Sequence, residues 1–457
     1  MKDIPDLFAH QRQTSDFIRA RKTVFGSSDP GTGKTRSVLD SFIEYRNLGN
    51  HGRMLVVCPK SIMKPAWVND IDKFYPDLTW AIAKAPDKTR LKAFQSGALV
   101  VVINHEAAKW LKANFNELAN FEWLVIDEST AFKNPTAKRT KALKDLAPHF
   151  DYRVCMSGTP MPNTVMDMWA QMYIVDLGKR LGPNYFQTRA KLCTPMINSQ
   201  FTTWEDKPDS KDMLYDAISD LSIRHKLEDV VDMPEHLNYD IQIDLSTNLL
   251  AQYRDLAEES VLVLQDGLVN AVNSAVLTNK LLQLCSGAVY NEDGEYSLVH
   301  NERYELVTEL VLSRSHSVVA YLWKHQLKEL QRLAKKHSIS NAAIVASMSP
   351  EERDDIVQRF QAGHFQVLFA HPQTAGHGLT LTRAKSLIWS SPTWNSEHYQ
   401  QFNRRIYRVG QHDRTEIINI AAANTWEPIV YERLAGKIEK EGHLLSLLQT
   451  KSNLLAA

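Results

Sequence analysis

Short, nearly continuous apolar runs, each the length of one strand, recur along this chain and constrain its fold more than any other feature. In the first third they fall at residues 23–25, 54–58, 99–103, 123–126 and 152–156. They do not alternate apolar with polar, as a strand with one wet face would, so both faces of the sheet are covered. Helical patterns at 34–45, 65–74 and 137–146 lie between them. A β–α–β rhythm of this kind predicts a parallel, doubly wound α/β lobe. A second series runs from Ser317 to the end, with strands expected at 318–322, 343–346, 366–369, 386–389 and 416–420 and a closing helix over 428–448. Residues 177–235 break the rhythm. They are polar, with a helix expected near 212–222, followed by a strand-like run at 239–245 and long helical stretches to about 284. The prediction is an α/β chain of two doubly wound lobes with a cleft between them and helical insertions. The first lobe spans 1–176, an insertion and connection 177–235, a helical part of the second lobe 236–300, and the second lobe proper 301–457.

A chain of 457 residues with 44% hydrophobic residues can bury two cores. Lys+Arg and Asp+Glu both number 53, so the formal charge is zero. A protein that coats nucleic acid nonspecifically is basic overall, so any nucleic-acid track here must be a local groove. The longest apolar run, 98–103, is strand-sized, and no membrane partner is expected. Met1-Lys2-Asp3-Ile4-Pro5-Asp6 has no apolar signal core, which predicts no export. Cys58, Cys155, Cys193 and Cys285 are scattered without a CxxC pair, which argues against a zinc knuckle or a disulfide framework and for a reducing, cytoplasmic setting.

Chemistry enters at Ser28-Asp29-Pro30-Gly31-Thr32-Gly33-Lys34-Thr35, which follows a strand and opens a helix. It is nearly a P-loop, with Ser28 where the first glycine would stand. Glycines let backbone N–H groups wrap phosphates at a helix N-terminus, where the dipole favours anions. Lys34 would bridge the outer phosphates of ATP, and the Thr35 hydroxyl would ligate Mg²⁺. A glycine-rich turn that only caps a helix is the bland alternative. The strand Trp123-Leu124-Val125-Ile126 ends in Asp127-Glu128. Asp127 would hold Mg²⁺ through its water shell and Glu128 would polarise the attacking water. Acidic residues at a strand end are often turn formers, but the pairing with a P-loop in one α/β lobe favours a nucleotide hydrolase.

From here the sequence resembles superfamily-2 helicases, and within them Swi/Snf-type translocases, in the compact form found in bacteria and bacteriophages. Leu7-Phe8-Ala9-His10-Gln11-Arg12 resembles the opening glutamine motif, in which Gln11 would read adenine. Leu55-Val56-Val57-Cys58-Pro59-Lys60-Ser61, Val102-Ile103-Asn104-His105-Glu106 and Ser157-Gly158-Thr159-Pro160-Met161-Pro162-Asn163 resemble the next motifs, the last being the family's coupling loop. Ile223-Arg224-His225-Lys226-Leu227 resembles the basic segment before the lobe crossover. Thr374-Ala375-Gly376-His377-Gly378-Leu379-Thr380-Leu381-Thr382 resembles the fifth motif. Trp394-Asn395 leading to Gln401-Phe402-Asn403-Arg404-Arg405-Ile406-Tyr407-Arg408-Val409-Gly410-Gln411 resembles the sixth. The resemblance implies two RecA-like lobes with an ATP cleft between them. It makes Arg405 and Arg408, three apart and hence on one helical face, arginine fingers able to fork the γ-phosphate. It also makes Lys60, Ser61, Asn104, His105, Thr380 and Trp394 candidates for the DNA track, and a monomer is expected. Two departures stand out. Ser129-Thr130 follows the acidic pair where Ala-His is usual, and Arg404 stands where an aspartate is common.

The leading expectation is an ATP-dependent motor that moves on duplex or branched DNA. A strand-separating DNA or RNA helicase is the enzymatic alternative, and a nucleotide-gated clamp without turnover the non-enzymatic one. The complete set of Lys34, Glu128, Arg405 and Arg408 speaks against the clamp.

Overall fold

A computed structural model describes residues 5–161, 164–197, 202–265, 279–291, 293–375 and 379–435. The chain divides into two compact units, Met1–Asp232 and Met233–Ala457. In the first, the strands in chain order are β1 (Thr23–Gly26), β2 (Arg53–Cys58), β3 (Trp80–Ala83), β4 (Val100–Asn104), β5 (Phe121–Asp127), β6 (Tyr152–Met156), β7 (Cys193–Ile197), β8 (Thr202–Asp206) and β9 (Ser222–Ile223). Seven of them form one sheet in the order β3-β4-β2-β5-β6-β1-β9, and every pairing in it is parallel.

The apolar runs earn this position by burial on both faces. Along β2, Leu55 and Val57 enter one hydrophobic cluster with Val101, Ile103, Leu124 and Ile126. Met54, Val56 and Cys58 enter another with Val100, Val102, Trp123 and Val125. Successive side chains point to opposite faces, so a strand buried on both sides must be apolar throughout. Two strands escape this signature. β3 is an edge strand with partly exposed residues, and β9 contributes only two residues.

Residues 177–232 belong to the first unit and carry more order than a polar insertion suggests. β7 and β8 pair as an antiparallel hairpin, with Cys193 opposite Asp206 and Ile197 opposite Thr202. The helix expected near 212–222 runs over Ser210–Ile218. Its expected end is instead β9, which adds to the sheet beside β1. Backbone pairing with an existing edge outweighs helix continuation there.

The second unit contains β10 (His236–Ile243), β11 (Ala288–Tyr290), β12 (Tyr296–Leu298), β13 (Ser317–Ala320), β14 (Asn341–Ile344), β15 (Val367–Ala370), β16 (Ser386–Trp389) and β17 (Thr415–Ala422). Its six-stranded sheet has the order β10-β17-β16-β13-β15-β14, again parallel throughout. β11 and β12 form a small antiparallel hairpin. The closing helix begins at Glu427 and is described to Leu434. The rest of the expected 428–448 helix, and residues 266–278 of the expected helical stretch, lie outside the described residues. Among the described residues no helix is long and apolar enough to cross a membrane, and all four cysteines are buried and unpaired.

A buried ion pair clamps the second unit. Arg303 and Glu427 have fully buried side chains and pair directly. Arg303 Nη1 also donates to the carbonyls of Ser390 (2.6 Å) and Ile420 (3.0 Å), and Nε donates to Cys285 (3.2 Å). The guanidinium thus ties β16, β17 and the closing helix together. Removing one partner strands a buried charge, which costs about 3–5 kcal/mol, whereas replacing both by apolar groups is often tolerated. Arg303→Met is expected to lower denaturant stability of the second unit by about that amount, and Arg303→Met/Glu427→Leu to restore most of it. A single variant as stable as the parent would show that the clamp contributes nothing.

Candidate nucleotide and motor site

The glycine loop lies between β1 and the helix Lys34–Asn47. Gly31 and Gly33 have φ of 93° and 79°, in the left-handed region that glycine tolerates. A side chain at Gly33 would also strike Gln11, whose Nε2 would lie 2.1 Å from the added Cβ. Gln11 Nε2 donates to the Thr32 carbonyl at 3.2 Å, and a ring nitrogen of His10 meets the same oxygen at 2.8 Å. The structure therefore seats the glutamine motif directly on the loop's last turn. Lys34, first residue of the helix, donates from Nζ to the carbonyls of Ser28 (2.7 Å) and Asp29 (3.2 Å). Thr35 is the next residue and is half-buried.

Ser28, the departure from glycine, has a structural partner. Its hydroxyl accepts from His225 N at 3.0 Å, and Asp29 Oδ2 accepts from Leu227 N at 3.2 Å. Ser27 N donates to Ile223 O (2.9 Å) and Asp29 N to His225 O (3.0 Å). The basic segment Arg224-His225-Lys226 is thus a wall of the phosphate loop, nearly two hundred residues away in sequence. No local pattern could reveal this, because the contact is made by strand addition.

Asp127 and Glu128 sit at the carboxyl end of β5. Asp127 is buried, and its Oδ2 accepts from Trp67 Nε1 at 3.0 Å. Burial, and then the neighbouring Glu128, push its carboxyl up to about 6, while Lys34 and the Trp67 bond pull the other way. Glu128 has φ 52° and ψ 53°, a left-handed conformation unusual for a residue with a side chain. Its Oε2 is buried with no hydrogen-bond partner among the described residues. A carboxylate oxygen with no protein donor on it keeps its lone pairs for a hydrogen bond from another molecule.

Ser129 and Thr130 carry bonds away from the acidic pair. Ser129 Oγ donates to Gln171 Oε1 at 2.7 Å, and Gln171 Nε2 donates to Pro160 O at 2.8 Å. Thr130 Oγ1 lies 2.6 Å from Ser157 Oγ and donates to Thr159 O at 2.9 Å. Gly158 packs so closely on the phosphate loop that a Cβ there would lie 2.8 Å from Pro30 Cδ. The loop Ser157–Pro160 therefore touches both the phosphate loop and the acidic box. Pro162-Asn163 of this motif lies outside the described residues.

His105 corrects the sequence reading. Expected on the track, it is 4% exposed, and its ring nitrogen Nε2 meets the Asp127 carbonyl at 2.8 Å, with Phe132 at 5.0 Å. It supports the acidic box from beneath and offers no surface to a backbone phosphate. Lys60 is exposed and Ser61 half-buried, on the turn after β2. Asn104 ends β4 and donates to Glu106 Oε2 at 2.6 Å. After the acidic box comes a basic stretch, in which Lys133 is 3.8 Å from Asp167, Arg139 lies over Phe132, and Lys144 lies over Trp169 and Tyr173, while Lys138 and Lys141 are exposed.

In the second unit the helix Ser396–Asn403 stops before the arginines. Arg405 and Arg408 lie on the turn that follows, and not on a helical face as their spacing predicts. They still converge, since Nη1 of each donates to the Leu379 carbonyl, at 3.4 and 3.1 Å. Arg404 caps the helix and lies 5.6 Å over Tyr407. Thr380 and Trp394 are half-buried, and Trp394 Nε1 is buried without a partner among the described residues. Gly376-His377-Gly378 of the fifth motif lies outside the described residues.

Two parallel α/β units, one with a phosphate loop and acidic pair and the other with converging arginines, define a nucleotide-driven motor. Residues 20–287 match the SNF2-related domain and residues 302–410 the helicase conserved C-terminal domain. The chain belongs to the SNF2-related family, and the two domains together make it an ATP-driven motor of helicase type. It is 29% identical to protein p41 of Acyrthosiphon pisum secondary endosymbiont phage 1, over 92% of this chain and 94% of that protein. An ATP-dependent helicase of Mycoplasma pneumoniae is 26% identical over 96% of this chain, and the ATP-dependent helicase/translocase YwqA of Bacillus subtilis 24% over 91%. The chain spans only 42% and 46% of those two bacterial proteins. Among solved structures, the Sulfolobus solfataricus SWI2/SNF2 ATPase core in complex with dsDNA aligns at a TM-score of 0.45 and 22% identity, covering 96% of this chain and 94% of that one.

Proposed function

We propose that this motor moves along duplex or branched DNA by its phosphate backbone and does not separate the strands. The observation that carries the mechanism is the contact of three elements in the first unit. The phosphate loop, the acidic box and the Ser157–Pro160 loop are joined through Lys34, Gly158 and Thr130. In this reading the N–H groups from Gly31 to Thr35 cradle the phosphates of ATP, with Asp29, Pro30 and Thr32 shaping the loop, and Lys34 neutralises the outer ones. Gln11 stands beside the cradle and reads the adenine edge. The donor set fits a magnesium ion: the Thr35 hydroxyl, and the buried Asp127 carboxylate whose charge Glu128 and burial disfavour. When bound, that ion neutralises charge on the phosphates. Glu128 accepts the proton of the attacking water, and Arg405 and Arg408 offset charge on the γ-phosphate from the second unit.

Lys60, Ser61 and Asn104 on the first unit, and Thr380 and Trp394 on the second, are the proposed track contacts. The chain acts as a monomer in this reading. Its likeness to a phage-borne protein of nearly the same span supports a place in the host cytoplasm.

The β7–β8 hairpin could favour strand separation, because a hairpin can serve as a wedge. Its tryptophan argues otherwise. Trp204 is half-buried against the core, with Arg189 4.2 Å over its ring, so the aromatic face is already used. Duplex or branched DNA is therefore expected to stimulate ATP hydrolysis more than single strands do. The protein is expected to displace a triplex-forming third strand and to leave a long blunt duplex paired. Stimulation should fall steeply with salt as phosphate contacts release counterions. Efficient unwinding of a tailed duplex without triplex displacement would establish the helicase reading instead. Stimulation by RNA alone would remove DNA as the track.

A further inference from the structure

The second unit has a cavity of about 520 Å³, lined in part by Thr382, Gly410 and Gln411 from the ends of the fifth and sixth motifs. It lies at the amino edge of the six-stranded sheet. His316 immediately precedes β13, Lys385 precedes β16, and His412 and Asp413 shortly precede β17. Nucleotide and track motifs in parallel α/β folds occupy the opposite, carboxyl edge, so this cavity is a separate place.

Its lining is cationic. Asp413 is the one acidic residue in it and is already matched by Lys385, 3.1 Å away. Arg383 remains uncompensated. Its guanidinium is exposed and makes no hydrogen bond or ion pair among the described residues. The base of that side chain is nevertheless fixed, because Arg383 N donates to Gln361 Oε1 at 2.9 Å. Glycine at 363 leaves room for the guanidinium, since a Cβ there would lie 3.0 Å from Arg383 Nη2. Burial, and then the charges of Arg383 and Lys385, hold the His316 imidazole below its ordinary range, which marks a local positive field.

The floor of the cavity is Gln411, the last residue of the sixth motif. Its buried amide donates to the carbonyls of Thr382, Ala384 and Ile406, each at 3.1 Å, and accepts from the N–H groups of His412 and Asp413, each at 3.0 Å. The strand of backbone from 379 to 385 thus carries both finger arginines at one end, on Leu379, and the cationic cavity at the other.

We propose that this cavity is a phosphate-binding site, in which the Arg383 guanidinium forks two phosphoryl oxygens and His316 and His412 donate from the sides. The phosphoryl group comes from a backbone phosphodiester of the DNA track or from a free phosphate-bearing ligand. The first source rests on the DNA reading above, and the second does not. A planar guanidinium matches phosphate in a way that an ammonium does not, and a cavity of this volume is in the size range of small-ligand sites.

The test compares the full-length protein with Arg383→Ala and Arg383→Glu, each checked for an unchanged thermal melt, as an exposed side chain allows. One arm titrates a labelled duplex across a salt series. The other titrates inorganic pyrophosphate by calorimetry, where the phosphate loop supplies a binding event common to all three proteins. If the track supplies the phosphate, Arg383→Ala weakens duplex binding about tenfold, and the slope of log Kd on log salt falls by about 0.9, the share of a single neutralised phosphate. If a free ligand supplies it, the parent takes up two pyrophosphates and both variants one, with duplex binding unchanged. Parent-like behaviour of both variants in both arms overturns the site. Failure of the parent to bind duplex would sink the DNA reading, while the pyrophosphate arm still decides the cavity.

Discussion

Glu128→Gln is expected to lower ATP turnover by about 10²–10⁴-fold, the usual worth of a positioned general base, and to leave nucleotide binding nearly intact. The substitution keeps shape and removes only the capacity to accept a proton. The left-handed backbone at Glu128 and the bond from its N–H to Asp127 Oδ1 (3.0 Å) do not depend on the side-chain oxygen. The phosphate cradle lies on a different strand and is untouched. Lys34→Ala should differ in kind, because it removes the ammonium that serves the phosphates, so binding and turnover fall together. Phosphate release measured beside a nucleotide titration separates the two. Turnover near the parent rate in Glu128→Gln would mean that another group takes the proton.

How far the sequence could be read follows from what each element is buried against. β2, β4, β5 and β6 were legible because each carries an apolar run whose side chains are buried on both faces. β3 and β9 were not, since an edge strand and a two-residue strand carry no such pattern. The helix Ala9–Arg21 is hidden for a related reason: it buries polar residues, of which His10 and Gln11 bond to Thr32 of the phosphate loop, Ser15 to Asp40 on the helix after it, and Thr14 back to its own helix. The glycine loop and the acidic pair were legible as local motifs, and both lie at carboxyl ends of strands in one sheet, as expected. The roles around them were not, because they depend on tertiary contacts. His105 has the look of a track residue and is a buried prop for Asp127. Ser129-Thr130 was visible as a departure from the family, but its partners Gln171 and Ser157 lie 42 and 27 residues away. Spacing misled at the arginines as well. Three residues apart implies one helical face only while the helix lasts, and this one ends at Asn403.

That ending bears on the second large effect. Arg405→Ala and Arg408→Ala are each expected to leave ATP bound and to slow hydrolysis by about 10³-fold or more, as removal of an arginine finger does. Both arginines reach the same carbonyl, Leu379 O, through Nη1. A shared acceptor keeps the two guanidiniums close together on one turn. Either substitution leaves its neighbour's contact with Leu379 in place, so the second unit should keep its fold. The Gln11 and Lys34 contacts of the first unit are unaffected, which is why binding should persist. Arg405→Lys and Arg408→Lys are expected to recover little, because an ammonium keeps the charge and loses the planar fork. Single-turnover hydrolysis beside equilibrium nucleotide binding makes the comparison. A rate unchanged in both alanine variants would remove the second unit from the chemical step. An equal loss of binding and rate would mean that the arginines hold the ground state of ATP and do not favour its transition state.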